Sequence, residues 1–462
     1  MKNSCIIFIL FISFVCKAQL FNTDHLVDAD IGFIGNGNLR SGDFNGDGAP
    51  DLMTITSQKL VWYENLDGQG NFGNAIEIDN SMGQSFNQTV VDLNQDGWED
   101  ILISYFDQDF IAYYRNLGNG TFAEFQTLAS NINKVAGIAP GDVDRDGDLD
   151  LVFGVSNNSG LYWIEHLDGN GSFGPLQPIS TTISQARNQV LEDIDGDGDL
   201  DILSNSAGLI IMSWFENVDG QGDFSIQHII DNSGEFYENS FQLVDLDGDG
   251  DLDNLSAKVN EVLWRENLDG LGDYGPKQVI FFDTNTIPGL KNVVATDLDN
   301  DLDLDITYDT GFDFSGKAYH INTNGLGSFG TPNYIPSPIG TGSFLNLAVD
   351  IDSDGDMDLT CGNFDNTTDI TYLYWYENLT ILGIEDINSL GIKIYPNPAK
   401  EVLRIESPIP LKKVSIYSVL GNTLKEVTTN FQEIATAKLP TGLLLVEIET
   451  EKGTVVEKII KQ

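Results

Sequence analysis

From Phe21 to Asn378 the chain is a succession of short apolar runs broken by turns rich in Gly, Asp and Asn. Runs of about five residues bounded in this way are the signal of β-strands. Helical periodicity of any length is absent. Each stretch reads strand, Asp-rich loop, strand, variable loop, aromatic strand, Gly-rich turn, strand. From Tyr395 onward the pattern changes to period two, as in VLRIES (Val402–Ser407), KVSIYSV (Lys413–Val419) and LPTGLLLVEIET (Leu439–Thr450). Alternation sustained over about 70 residues predicts a small β-sandwich. The expected layout is a leader at 1–18, a first domain at 19–380, a linker at 381–393 and a second domain at 394–462.

The first domain repeats one unit seven times. The Asp-rich loop recurs as DFNGDGAPD (Asp43–Asp51), DLNQDGWED (Asp92–Asp100), DVDRDGDLD (Asp142–Asp150) and DIDGDGDLD (Asp193–Asp201), then as DLDGDGDLD (Asp245–Asp253), DLDNDLDLD (Asp297–Asp305) and DIDSDGDMD (Asp350–Asp358). Successive copies start 49, 50, 51, 52, 52 and 53 residues apart. An aromatic residue keeps step with them: Trp62, Tyr113, Trp163, Trp214, Trp264, Tyr319 and Trp375. Four strands in about 50 residues, seven times over, predict an all-β fold: a seven-bladed β-propeller followed by the sandwich. Because all seven units carry the aromatic, packing between neighbouring blades explains it better than a sugar-stacking platform does. The seventh unit stops at Asn378, short of its fourth strand. Phe21–Asp28 resembles the missing piece, as seen in FGNAIEID (Phe72–Asp79), and is expected to close the last blade, removing the edges of an open ring.

Charge sharpens this picture. The chain has 71 acidic and 23 basic residues, a formal net charge of −48. From Ile381 to Gln462 the two signs balance at ten each, so the excess lies in the propeller. A surface so acidic excludes nucleic acid as a partner. Abundant aromatics exclude a disordered acidic tail. Met1–Ala18 carries an early Lys2 and an apolar run too short to cross a bilayer, the pattern of a secretory signal peptide. No later stretch reaches transmembrane length. Once Cys5 and Cys16 leave with the signal, Cys361 remains alone and no internal disulfide can form. An exported chain without one needs another staple, and bound metal is the candidate.

The Asp loops have the composition of such a staple. Oxygen ligands stand at positions 1, 3, 5 and 9: Asp43, Asn45, Asp47 and Asp51; Asp92, Asn94, Asp96 and Asp100; Asp142, Asp144, Asp146 and Asp150; Asp193, Asp195, Asp197 and Asp201. The series continues with Asp245, Asp247, Asp249 and Asp253; Asp297, Asp299, Asp301 and Asp305; and Asp350, Asp352, Asp354 and Asp358. Alternate side chains can converge on one centre, and glycine at position 6 permits a sharp turn. All-oxygen sites of this density suit Ca²⁺, up to seven ions, and disfavour zinc or copper. A metal-free Asp-Gly turn would leave the crowded carboxylates repelling one another. The loop is no EF-hand, since Phe153, Ser204 and Ser256 stand where a bidentate Glu is needed. Asn45 and Asn94 each remove a charge. Leu302 replaces the position-6 glycine, so the loop Asp297–Asp305 is expected to be the weakest site.

Motifs such as GDFNGDGAPDL (Gly42–Leu52) and GDVDRDGDLDLVFG (Gly141–Gly154), followed by strands like LYWIEHLDG, resemble the FG-GAP or VCBS repeats of integrin-α-like propellers. The resemblance covers roughly Phe21 to Asn378 and implies Ca²⁺ at the matching Asp and Asn residues, on one face of the disc. The last 70 residues resemble the C-terminal sorting domain of the type IX secretion system of Bacteroidetes. The elements that match are Tyr395-Pro396-Asn397-Pro398, the Thr441-Gly442 turn and the basic, apolar end at Lys458–Lys461. That likeness implies partnership with the type IX machinery and a destination in the medium or on the outer cell surface.

Catalytic groupings are scarce. His25, His166, His228 and His320 occupy unrelated blade positions, and no nucleophile elbow or Cys/His pair is present. The expectation is a monomeric, non-catalytic binding or adhesion module for a glycan or a cell-surface protein. The alternative is a polysaccharide-degrading lyase or hydrolase built on the propeller, since fold alone does not decide function. Strand reversal puts the Asp loops on one face. The other face then carries the loops Asn80–Asn87, Ser180–Arg187, Asp231–Glu238, Asp283–Leu290, Asp309–Lys317 and Asn363–Ile370, where a ligand is expected.

Overall fold

The structure is a computed structural model. It describes residues 20–380 and 392–461, less short stretches at 33–38, 57–58, 82–84, 106–108, 133, 157–159, 235–239, 284–289, 311–315, 338–341, 345, 366, 419–422, 430 and 451–453. The leader and most of the linker therefore lie outside the described residues, as do parts of five of the six loops named for the face opposite the Asp loops. Two compact units are present, Met1–Thr380 and Ile381–Gln462.

Among the described residues the first unit contains seven antiparallel sheets, each read as one blade of a β-propeller. In blade 1 the strands are Arg40–Gly42, Asp51–Thr56, Lys59–Tyr63 and Ile76–Asp79, paired in chain order. Blades 2 to 6 repeat this meander. The first strands of neighbouring blades touch one another, which places them around the central axis. Second strands are buried at every position in blades 1 to 6. They are covered on both faces, which is why ILIS and LVFGV read as continuous apolar runs and not as alternation. Fourth strands are half exposed, as in Ile76–Asp79 and Gln126–Ser130. In five blades a bulge breaks the register just before the third-strand aromatic, as between Leu60 and Val61. A bulge there adds local twist to the outer strand.

Blade 7 is assembled from both ends of the unit. Phe21–Asp28 pairs antiparallel with Ile370–Asn378, matching Phe21 with Asn378 and Leu26 with Tyr374. Ile370–Asn378 in turn pairs with Asp358–Asp365, and Gly342–Phe344 and Ala348–Val349 complete the inner edge. Phe21 is fully buried and meets Tyr319 of blade 6 edge-on, with ring centroids 5.5 Å apart. Burying a phenylalanine contributes about 1.5–3 kcal/mol, so the N-terminal strand is held by packing as well as by its ladder.

The cores lie between blades. One contains Phe44, Met53 and Trp62 of blade 1 with Ile101, Ile103 and Tyr114 of blade 2. Another joins Leu52, Val61 and Tyr63 to Leu373 of blade 7. In the second unit a three-stranded sheet (Lys393–Tyr395, Val402–Glu406, Ile434–Ala435) accompanies a four-stranded one. Leu403, Ile405, Val414, Ile416, Val446 and Ile448 form their shared core, so the period-two strands make a small sandwich.

Candidate metal centres

Each Asp loop is a compact knot built by its own side chains. In blade 1, Asp43 Oδ1 accepts from the backbone N–H of Gly46 at 2.7 Å, and Oδ2 from that of Gly48 at 2.9 Å. Asn45 Oδ1 accepts from Asp47 N–H and Asp47 Oδ1 from Ala49 N–H, both at 2.9 Å. These are Asx turns, which let the chain reverse without a regular ladder. The position-1 to position-6 bond recurs in the other six loops. Position 6 is left-handed throughout, with φ from 87° to 100° at its glycines and 76° at Leu302. Leu302 keeps the glycine geometry and leaves its side chain 92% exposed. The sequence showed only half of this backbone requirement. Position 4 is left-handed too, at Gly46, Gln95, Arg145, Gly196, Gly248, Asn300 and Ser353.

Carboxylate oxygens converge within 4.8 Å of one another in five blades. The groups are Asp142, Asp144 and Asp146; Asp193, Asp195 and Asp197; Asp245, Asp247 and Asp253; Asp297, Asp299 and Asp305; and Asp350, Asp352 and Asp358. Blades 1 and 2 substitute Asn45 and Asn94 within the same loop frame. Buried Oδ1 atoms of Asp142, Asp193, Asp247 and Asp352 have no hydrogen-bond partner. Leaving an anionic oxygen buried and unpartnered costs more than a lost neutral hydrogen bond. A hard cation at the point of convergence satisfies it, so the donor set fits calcium in chemistry and placement. Electrostatics agree. Burial and then mutual repulsion push Asp144, Asp195 and Asp247 above the ordinary carboxylate range, and Asp352 to about 6.

Position 9 does two jobs. Asp51, Asp100, Asp150, Asp201, Asp253, Asp305 and Asp358 are all buried. In each, Oδ2 accepts from the N–H of position 2 and Oδ1 from the N–H at the end of the third strand, as Phe44 and Asn65 donate to Asp51. The carboxylate thus ties loop to strand while its remaining lone pairs can face a metal.

Two further series of residues belong to the site. The asparagine closing the third strand is buried, and its Nδ2 donates to a position-2 carbonyl of the preceding blade. Asn116 reaches Phe44 at 3.0 Å, Asn217 reaches Val143 at 2.9 Å, and Asn65 reaches Ile351 at 2.8 Å across the ring closure. In blade 3, His166 takes this place, stacked on Phe173, with Nε2 accepting from Gly171 N–H. The second series is the glutamate just before that asparagine. Asn45 Nδ2 donates to Glu64 at 3.3 Å, and the negative charges of Glu165, Glu216, Glu266 and Glu377 raise Asp144, Asp195, Asp247 and Asp352. Five loops therefore have a further carboxylate beside position 3. Arg115 in blade 2 and Ile321 in blade 6 interrupt the series. The signal was present, since this glutamate keeps phase with the Asp loop.

The aromatic series packs between blades. Trp62, Trp163, Trp214, Trp264 and Trp375 are 1–4% exposed. Each lies against a turn glycine of the next blade: Gly120, Gly222, Gly272, Gly327 and Gly70. The histidines also have packing roles. His25 stacks on Trp375 at 4.3 Å, His228 on Trp214 at 4.1 Å, and His320 Nε2 contacts the Tyr308 hydroxyl at 3.0 Å.

Comparison with known proteins agrees with this architecture. Four overlapping segments, 43–103, 92–153, 142–204 and 193–256, match the FG-GAP-like repeat, and residues 393–462 match the secretion system C-terminal sorting domain. No curated protein matches the chain. Among solved structures, an Agrocybe aegerita lectin described as recognising non-reducing terminal N-acetylglucosamine is similar at 17% identity and TM-score 0.51. The match covers 68% of this chain and 81% of the lectin. The S. cerevisiae core factor is similar at 10% identity and TM-score 0.49, covering 78% of this chain and 61% of that one. At these identities the lectin's likeness bears on the fold alone. Among the described residues no helix is long and apolar enough to cross a membrane.

Proposed function

For a chain that carries FG-GAP-like repeats and ends in a secretion sorting domain, we propose the role of a calcium-dependent binding module displayed outside the cell. The sorting domain hands the folded chain to the type IX machinery, and the propeller then acts at the cell surface or in the medium. The observation that carries the calcium reading is the convergence of carboxylates in five of the loops, four of which hold a buried, partnerless oxygen at position 1 or 3. Calcium at Asp43–Asp51 and its six counterparts neutralises the loops and stiffens the face that carries them. The ring then becomes a rigid support for loops on the opposite face, where a glycan or a surface protein is bound. No chemistry at the ligand is required of the histidines, which are engaged in stacking and hydrogen bonding.

A glycan array probed with the purified propeller, with calcium and with excess chelator, tests this reading. Binding to a restricted set of glycans or to a cell-surface extract, lost on chelation, is the expected result. Turnover of a bound polysaccharide into shorter products would replace the binding module with an enzyme.

A further inference from the structure

The central channel holds a basic group out of keeping with the rest of the propeller. A cavity of about 250 Å³ is lined by the first strands of blades 1, 2, 4, 5 and 6, together with Asn346 of blade 7. Arg40 is the one charged side chain among its described lining residues. A guanidinium has five N–H donors. One of Arg40's groups, Nη1, donates to the Leu39 carbonyl at 2.9 Å, and no carboxylate pairs with it among the described residues. Burial without a counter-charge lowers its pKa to about 10, which still leaves it cationic at neutral pH. In a chain of net charge −48 an arginine without an acid partner is unexpected.

Other donors beside Arg40 are uncommitted. Asn87 and Ser240 line the cavity with no side-chain hydrogen bond to the described protein. Gln242 uses Oε1 to accept from Ala295 N–H at 2.8 Å and keeps its Nε2 donors. By contrast, Asn292 and Asn346 are already bonded, to Asp309 and Lys317. The free groups are thus one fixed cation and a set of neutral donors and acceptors around it.

We propose that this channel is a second ligand site, separate from the Asp loops, for a small hydroxylated monocarboxylate such as a sugar acid. The single guanidinium fits one carboxylate in a two-pronged pair. Asn87, Ser240 and the Gln242 amide match hydroxyl groups, which both donate and accept. One positive charge without a second cation disfavours a phosphate dianion. The volume lies below the roughly 300–1,000 Å³ of drug-sized sites, so the ligand is a single sugar unit and not a chain.

Titration calorimetry of the calcium-loaded full chain with glucuronate, and with glucose as the neutral control, tests the proposal. Wild type is expected to bind glucuronate with a Kd of about 1 mM or tighter. Glucose is expected to bind at least tenfold more weakly. Arg40→Gln should lose at least tenfold, while Arg40→Lys retains part of the affinity. If Arg40→Gln fails to fold, Asn87→Asp decides, because it adds a repelling carboxylate to the cavity and should weaken glucuronate while sparing glucose. Calcium held by the Asp loops could itself attract a carboxylate, but that binding would be indifferent to residue 40. Absence of glucuronate binding by wild type, equal affinity for glucuronate and glucose, or equal binding by wild type and a folded variant overturns the proposal.

Discussion

Trp375 lies across the backbone of Gly70, and its indole Nε1 donates to the Gly70 carbonyl at 3.2 Å. These residues are 305 positions apart, so the contact joins the last blade to the first. Gly70 has φ of 75°, and a Cβ there would sit 2.2 Å from the Trp375 ring. The next-blade turn repeats this arrangement with Gly222, Gly272 and Gly327 under their tryptophans, so ring closure uses the same joint as the internal interfaces.

Gly70→Ala should therefore destabilise the propeller through both left-handed strain and overpacking. A cost of about 2–5 kcal/mol is expected, since each effect alone is worth about 1–2 or 1–3 kcal/mol. Thermal unfolding measures it, and Gly48→Ala is the control, because nothing lies within 4 Å of a Cβ there. Equal losses in the two variants would mean that strain alone is responsible and that the tryptophan joint adds nothing.

Much of this was legible in the sequence because the repeat is long and its punctuation is strong. Seven Asp loops at a spacing near 50 residues required four short strands per unit, and the all-buried second strands follow from apolar runs such as LVFGV. The likeness of Phe21–Asp28 to the strand after each Gly-rich turn pointed to the pairing now seen with Ile370–Asn378. Less visible were groups whose role depends on a contact distant in the sequence. Asn217 looks like a turn residue until its Nδ2 is found on Val143 of the preceding blade. Glu165 looks like a solvated strand end until it is found beside Asp144. Arg40 gives no sequence signal at all, since only the circular arrangement of first strands brings it to Asn87 and Ser240.

The position-9 aspartates predict how the metal-free propeller responds to pH. Burial outweighs their backbone hydrogen bonds and pushes Asp51, Asp150, Asp201, Asp253 and Asp305 to about 7, Asp100 to about 6 and Asp358 to about 8. These values lie above the ordinary 3.8, so between the two the folded chain holds more protons than the unfolded chain. Stability of the metal-free form then falls as pH rises from about 4 and levels off above about 8. Melting in chelator should be higher at pH 5.5 than at pH 8.5. Calcium, which requires ionised ligands, should shrink or reverse that difference. A metal-free melting temperature that rises with pH over this range would contradict the assignment.

Blades 2 and 6 should be the weak calcium sites, for different reasons. In blade 2 the neutral Asn94 is joined by Arg115 where Glu64, Glu165, Glu216, Glu266 and Glu377 stand elsewhere. In blade 6 Leu302 bears left-handed strain and Ile321 takes the glutamate's place. Arg115→Glu should tighten one class of site in a calcium titration by tenfold or more. Leu302→Gly should tighten another by up to about tenfold, the equivalent of 1–2 kcal/mol of relieved strain. Isotherms identical to wild type in both variants would mean that neither blade holds calcium, or that these positions do not tune it.

The most direct test of the account is thermal unfolding of the propeller in millimolar calcium and in excess EGTA. One site saturated to a hundred times its dissociation constant adds about 2.7 kcal/mol to folded-state stability, and several such sites add in parallel. The melting temperature should fall by at least about 10 °C on chelation, with magnesium restoring only a small part. Superimposable melting curves in calcium and in EGTA would show that the seven Asp loops hold the ring together without metal, and would contradict the central claim.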